Sequence, residues 1–180
     1  MDYNDIQLRL SRTFKSLEGR YDDDVDKYTE IKEWEDGKGM SFIFGQEDES
    51  DTLNKVMIIL HNLASLKDHL KNTYKENSLS PSIIENEIDK SIHLQVLIDI
   101  VNQDKHGSPL RNPRSKKSPV IRDLSNGMRM ADPRTGEMKP TMFIDGTVVD
   151  KNGKRICNLD ELIENCFLKW KELSVKTEKK

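Results

Sequence analysis

Residues 51–106 read DTLNKVMIILHNLASLKDHLKNTYKENSLSPSIIENEIDKSIHLQVLIDIVNQDKH, and this stretch decides the fold. In its first half Leu53, Val56, Met57, Leu60, Leu63, Ala64, Leu70 and Tyr74 recur mostly at three- and four-residue steps. That spacing lays one apolar stripe along a helix over Asp51–Lys75, interrupted by Lys67. A second helix is expected from Ser80–Ser82 to about Lys105, with Pro81 in its first turn and Ser82 and Glu85 at capping-box spacing. Its apolar positions from Ile83 to Val101 cover most of the circumference, so its later half is expected to be buried and central. Only Glu76 to Ser80 separates the two helices, which favours an antiparallel pair.

Working outward, Thr141 to Val149 (TMFIDGTVV) is β-branched and aromatic, DKNGK is a turn with Asn152-Gly153 placed for positive φ, and Arg155 to Cys157 is a return strand. Asn158 and Glu161 have N-cap spacing, and Leu159, Leu162, Ile163, Cys166, Phe167, Trp170 and Leu173 make a closing amphipathic helix. Toward the N-terminus, Ile6, Leu10, Phe14 and Leu17 suggest a helix, Val25 to Trp34 another, and Met40 to Phe44 (MSFIF) a short strand or docked loop. The expectation is a mainly α protein, an antiparallel helical bundle with a small C-terminal β-hairpin. It would be one domain over 1–180: an acidic region (1–50), the helix pair (51–106), a basic loop (107–136), then the hairpin and closing helix (137–173).

Composition limits the functional classes. Hydrophobic and charged residues are each 34% of the 180 residues, against roughly 45–50% and 25% in an average globular chain, so the core is lean. Charge is segregated: Asp22 to Asp51 carries twelve acids against Lys27, Lys32 and Lys38, whereas Gly107 to Gly136 carries seven bases against Asp123 and Asp132. Those two stretches could face each other, or the basic one could hold a polyanion. No run approaches the ~18 apolar residues of a membrane span, and MDYNDIQLRL lacks the pattern of a signal peptide. Cys157 and Cys166 have no CxxC spacing, which agrees with a reducing compartment. A cytoplasmic protein with no membrane partner and no cofactor is expected.

The chain contains no GxxxxGK[ST], GxGxxG, HExxH, GxSxG or paired CxxC, which argues against P-loop, dinucleotide, zincin and hydrolase-elbow chemistry. What remains is polar material on the helix pair. Asp99, Asn102 and His106 fall within about 60° of azimuth on one helix face, where the core would otherwise continue. Across an unstaggered pair, His61 falls near Gln95, one turn from Asp99, and Asp68 near Ile88. Each residue also has a structural reading: His106 before Gly107 suits a helix C-terminus, and Asp99 could tie down a neighbouring backbone. His61 and His69 are eight residues apart, too far for a metal held on one helix face, and no metal site is expected.

The strings DIVNQDKH (Asp99 to His106) and HNLASLKDHL (His61 to Leu70) resemble a group of prokaryotic helical proteins similar to the HEPN superfamily. That superfamily carries an Arg-polar-x-x-x-His motif at the end of a central helix. Asn102 matches the polar position and His106 the histidine, while Val101 stands at the arginine position. The resemblance implies a HEPN-like bundle, a phage-defence or toxin–antitoxin setting, and pairing into homodimers; it alone brings Asp68 among the candidates. Two functions follow as expectations. One is a noncatalytic module that binds a protein partner. The other is a metal-independent ribonuclease with His106 as acid/base, Asn102 and Lys105 on phosphate or 2′-OH, Asp99 and His61 beside them, and Arg111, Arg114, Lys116 and Lys117 holding RNA.

Overall fold

The apolar periods and turn residues organise a computed structural model that describes residues 29–33, 40–44, 49–129 and 141–175, with side chains over 50–127 and 143–175. In chain order its elements are β1 (Thr29–Glu33), β2 (Met40–Phe44), α1 (Glu49–Glu76), α2 (Ser82–Lys90), α3 (Ile92–His106), β3 (Val120–Arg129), β4 (Thr141–Val149), β5 (Arg155–Asn158) and α4 (Leu159–Val175). The described chain is mostly helical, with an antiparallel sheet at one side.

α1 runs as its stripe predicts, burying Val56, Leu60, Leu63, Ala64, Leu70 and Tyr74, together with Ile59 and Leu66. The helix pair is antiparallel: Lys71 bonds Glu85 and, further back along α1, His61 bonds Asp104. The expected second helix is two helices. Ser91 is extended at φ −109° and ψ 112°, closes α2 with its N–H and opens α3 by accepting from Leu94 N at 3.4 Å. A serine hydroxyl competes for backbone donors in this way, which makes the residue a strong helix opener. The capping box at Ser82 does not form; Pro81 takes the cap position and Glu85 is used in ion pairs. α3 buries Leu94 and every residue from Val96 to Val101, as its all-round apolar pattern requires.

The sheet is larger than the expected hairpin. Five strands lie in the order β1-β2-β3-β4-β5, all antiparallel. The β4–β5 hairpin is as expected, with Val148 opposite Cys157. Its turn is held by Asp150 Oδ1, which accepts from the N–H groups of Asn152 and Lys154, and Gly153 alone takes positive φ, at +80°. Two expectations fail here. Thr29–Glu33, inside the helix expected over Val25 to Trp34, is a strand, and a third of the expected basic loop is β3. β3 hides its alternation behind a bulge between Arg122 and Ser125, where Asp123 sits at φ 55°; a bulge puts one extra residue in a strand and shifts its period. The helix expected over Ile6 to Leu17 lies outside the described residues.

α4 closes the fold against α1 and β4. Glu161 reaches back to the Asn158 N–H at 3.3 Å, the reciprocal half of a capping box. Leu159, Leu162, Cys166, Trp170 and Leu173 are buried, and Tyr74 Oη donates to Leu173 O at 3.0 Å, joining α1 to α4. Gly146 allows the sheet to approach: a Cβ there would lie 2.9 Å from Leu124 Cδ2 and 3.4 Å from Leu159 Cδ2.

Ion pairs fasten α2 to its neighbours. Glu87 accepts from Lys169 of α4 and Lys90 of its own helix, at 2.9 and 3.0 Å, and these bonds hold its carboxyl at about 2, against an ordinary 4.5. A carboxylate depressed in the folded state stabilises fully above its unfolded pKa, and loses that contribution as pH falls toward the folded value. The difference in thermal midpoint between the protein and Glu87→Gln should therefore be largest above about pH 5 and shrink toward pH 2, followed by circular dichroism. A difference that stays constant over this range would contradict the pairing.

Candidate functional site

Asp99, the centre of the expected polar stripe, is 1% exposed. Its Oδ1 accepts from Arg114 N at 2.8 Å and its Oδ2 from Ser115 N at 2.7 Å. Both oxygens are thus spent on the backbone of the segment that follows α3. That segment carries two further anchors. The Arg114 guanidinium donates to Asp89 Oδ1 at 2.8 Å, to Glu85 Oε2 at 2.7 Å and to Glu85 O at 3.1 Å, and Gln103 Nε2 donates to Pro119 O at 2.9 Å. Glu85 is pushed up by burial and pulled down by hydrogen bonds from Lys71 and Arg114, and the partners prevail. Asp99 and Arg114 therefore form a brace between α3, α2 and the segment 107–119. Arg114 is committed to carboxylates and is not offered to a phosphate.

The remaining expected residues do not converge on Asp99. His106 is exposed at the end of α3, before Gly107 at φ 61°, the left-handed C-cap that its sequence allowed. Asn102 is partly buried, and Lys105, Arg111, Lys116 and Lys117 are exposed. Asp68 is exposed, 3.8 Å from Lys67. His93 lies 3.6 Å from Glu161. The groove beside α1 is lined by none of Asp99, Asn102 and His106, which were expected to share a pocket. The acidic partner expected for the basic stretch lies mostly outside them.

That groove is a different concavity. The partner of His61 is not Asp99. Its Nε2 meets Asp104 Oδ2 at 2.7 Å, nine residues past Gln95, beyond the break at Ser91 that the unstaggered pairing did not include. This pair lines an open groove of about 630 Å³ between α1 and the end of α3, together with Leu53, Asn54, Met57, Ile58 and Asn62. Leu53 is 39% and Ile58 49% exposed, and Met57 is partly buried. The Asp104 carboxylate is half exposed, the His61 ring one third. Leu53 and Met57 were expected in the core; they lie instead on the flank of the stripe that α3 leaves uncovered. Ile58 carried one available signal, an apolar residue out of phase with the stripe. Asp104, four residues past the buried Ile100 and seven past Leu97 on the same helix face, interrupts that face in the sequence, a signal that was passed over.

The groove offers an apolar floor, two carboxamides and a histidine–carboxylate pair, and no cysteine or serine nucleophile lines it. Among the described residues no group of three or more His, Cys, Asp or Glu is placed to hold a metal ion. None of the described helices is long and apolar enough to cross a membrane. Both cysteines are free and buried, and burial raises both thiols, that of Cys157 to about 11. Comparison with known proteins gives no match: no family model, no curated protein and no solved structure is similar to this chain.

Proposed function

We propose that this protein is a helical interaction module that binds a basic amphipathic helix of a partner protein in the groove between α1 and α3. The observation that carries this reading is the set Leu53, Met57 and Ile58, presented from one helix into a concavity that the half-exposed Asp104 also lines. Apolar anchors at such spacing suit a helix laid in a groove, and a carboxylate at the rim favours an arginine or lysine beside the anchors. The two free, buried cysteines fit a reducing, cytoplasmic setting.

A HEPN-like fold and a defence or toxin–antitoxin role remain compatible with the antiparallel helices and with His106 at the end of α3. The ribonuclease reading draws less support. Asp99 is occupied by the backbone, Arg114 by carboxylates, and neither Asn102 nor His106 lines the groove between α1 and α3.

The test is selection of a displayed library of helical peptides on the full chain, with Ile58→Asp as the counter-selected protein. Ile58 is exposed, so aspartate there spares the core. Enriched sequences should pair apolar residues at three- and four-residue steps with arginine or lysine. A synthetic peptide from the pool should bind Ile58→Asp at least about tenfold more weakly, as expected for loss of one central anchor. A pool that cannot tell the two folded proteins apart would refute the proposal.

A further inference from the structure

We infer that a row of cations formed by Lys116, Lys117, Lys151, Lys154 and Arg155 is a binding surface for the phosphate backbone of double-stranded nucleic acid, held without regard to base sequence. The row shares no residue with the groove, so the inference does not rest on the reading above.

Three neighbouring pieces of backbone set the row. Lys151 N donates to Lys117 O at 3.3 Å, and Asp150 N donates to Lys154 O at 2.8 Å. Val149 stands opposite Val120 on one side and Arg155 on the other. Segments 116–118, 150–151 and 154–155 therefore lie side by side at one end of the sheet, about 5 Å apart per step, so the row is about 10 Å across before the reach of its side chains is added. All five side chains are exposed, and none has a hydrogen-bond or ion-pair partner among the described residues. The acids nearest along the chain are engaged: Asp150 Oδ1 accepts from Asn152 N and Lys154 N, Asp160 Oδ1 from Glu161 N, and Glu161 accepts from Asn158 N and lies 3.6 Å from His93.

The loop that presents two of the five is held in a costly shape. Lys116 and Ser118 have φ of 61° and 48°, the left-handed region that residues with a Cβ rarely adopt. Asp99 grips the two N–H groups before Lys116, Arg114 ties the loop to α2, and Gln103 holds Pro119 O beyond it. Strain of this kind persists only where the surroundings over-determine it, and it gathers at ligand clamps. What this brace sets on the outside of the molecule is Lys116 and Lys117.

The chemistry favours a duplex. Residues 116–120 and 149–155 contain no aromatic side chain on which an unpaired base could stack, the usual anchor of a single strand. A duplex carries one charge per about 1.7 Å of its axis, so about 10 Å of row faces on the order of six phosphates. An extended acidic peptide offers one charge per about 3.3 Å at most. For a membrane, the one listed exposed large apolar side chain in these segments is Val120.

The experiment is fluorescence anisotropy of the full chain with a labelled DNA duplex of about 20 base pairs and mixed sequence. With about four phosphate contacts, log K should fall with log salt at a slope of about −3.6, a loss of about a hundredfold between roughly 50 and 200 mM. Lys117→Gln/Lys151→Gln/Lys154→Gln leaves the backbone bonds of the loop in place, and should bring the slope to about −1 and weaken binding at least about thirtyfold at the lower salt. Lys55→Gln/Lys75→Gln on α1 should stay within about threefold of the parent, and so should Ile58→Asp, which separates this surface from the groove. An unchanged slope in the triple variant, or no binding at the lower salt, overturns the inference. So does a single strand of the same length that binds more tightly than the duplex. Polyglutamate that displaces the duplex at equal concentration of charge overturns it in favour of an acidic protein, and phosphatidylserine vesicles that bind where the duplex does not overturn it in favour of a membrane surface.

Discussion

Trp170→Ala is expected to cost about 3–5 kcal/mol, the range for truncating a large buried aromatic, which takes most or all of the stability of a parent at the lower end, about 5 kcal/mol, of the ordinary range. Trp170 is fully buried in α4, within the core cluster that joins all four described helices to Val148 and Cys157 of the sheet. Its removal opens a cavity in that cluster. Trp170→Phe is expected to cost less than half as much. The indole Nε1 has no acceptor among the described residues, and an unpaired buried donor costs about 1–3 kcal/mol, which phenylalanine relieves while keeping a ring in place. Urea denaturation followed by circular dichroism separates the two. Equal losses would mean that the nitrogen carries no penalty.

Asp99→Ala is expected to cost about 2–4 kcal/mol, because it leaves two backbone donors, Arg114 N and Ser115 N, without their acceptor in a site that is closed to water. Asp99→Asn keeps one carbonyl oxygen and should lose less. The effect should be local as well as global, with amide exchange faster at 114 and 115 than in α1. A folded Asp99→Ala protein of parental stability would remove the brace and return Asp99 to the candidates for catalysis.

How much of this could be read from sequence depends on where each contact partner lies. α1, α4 and the β4–β5 hairpin were legible because their apolar positions share one period, and the N-cap spacing and the glycine turn mark their ends. β1, TEIKE, was not, since three of its five residues are charged and strand pairing with β2 is invisible in a short polar run. β3 was hidden by its bulge, and the break at Ser91 by the apolar pattern that continues across it. In the site, the polar interruption at Asp99 was legible as a need for partners. Which partners was not, because they are main-chain amides 15 and 16 residues along the chain, and a sequence pattern does not display the backbone. The groove was missed for the opposite reason. Leu53 and Met57 keep the period of the core, and only the course of α3 leaves them uncovered.

The order of the strands has a consequence for the chain as it is made. β2 finds its second neighbour in β3, so 85 residues must follow Phe44 before Arg129 completes the pairing. At about 5–20 residues per second, that is roughly 4–17 s of synthesis. Through this interval the helices can form from local contacts, while MSFIF, with one side paired at most to β1, keeps an open edge. In the sequence, acids outnumber bases on both sides of it, Glu30, Glu33, Glu35 and Asp36 before and Glu47, Asp48, Glu49 and Asp51 after, against Lys32 and Lys38. Nascent chains on one message therefore repel one another where they would otherwise join strand to strand.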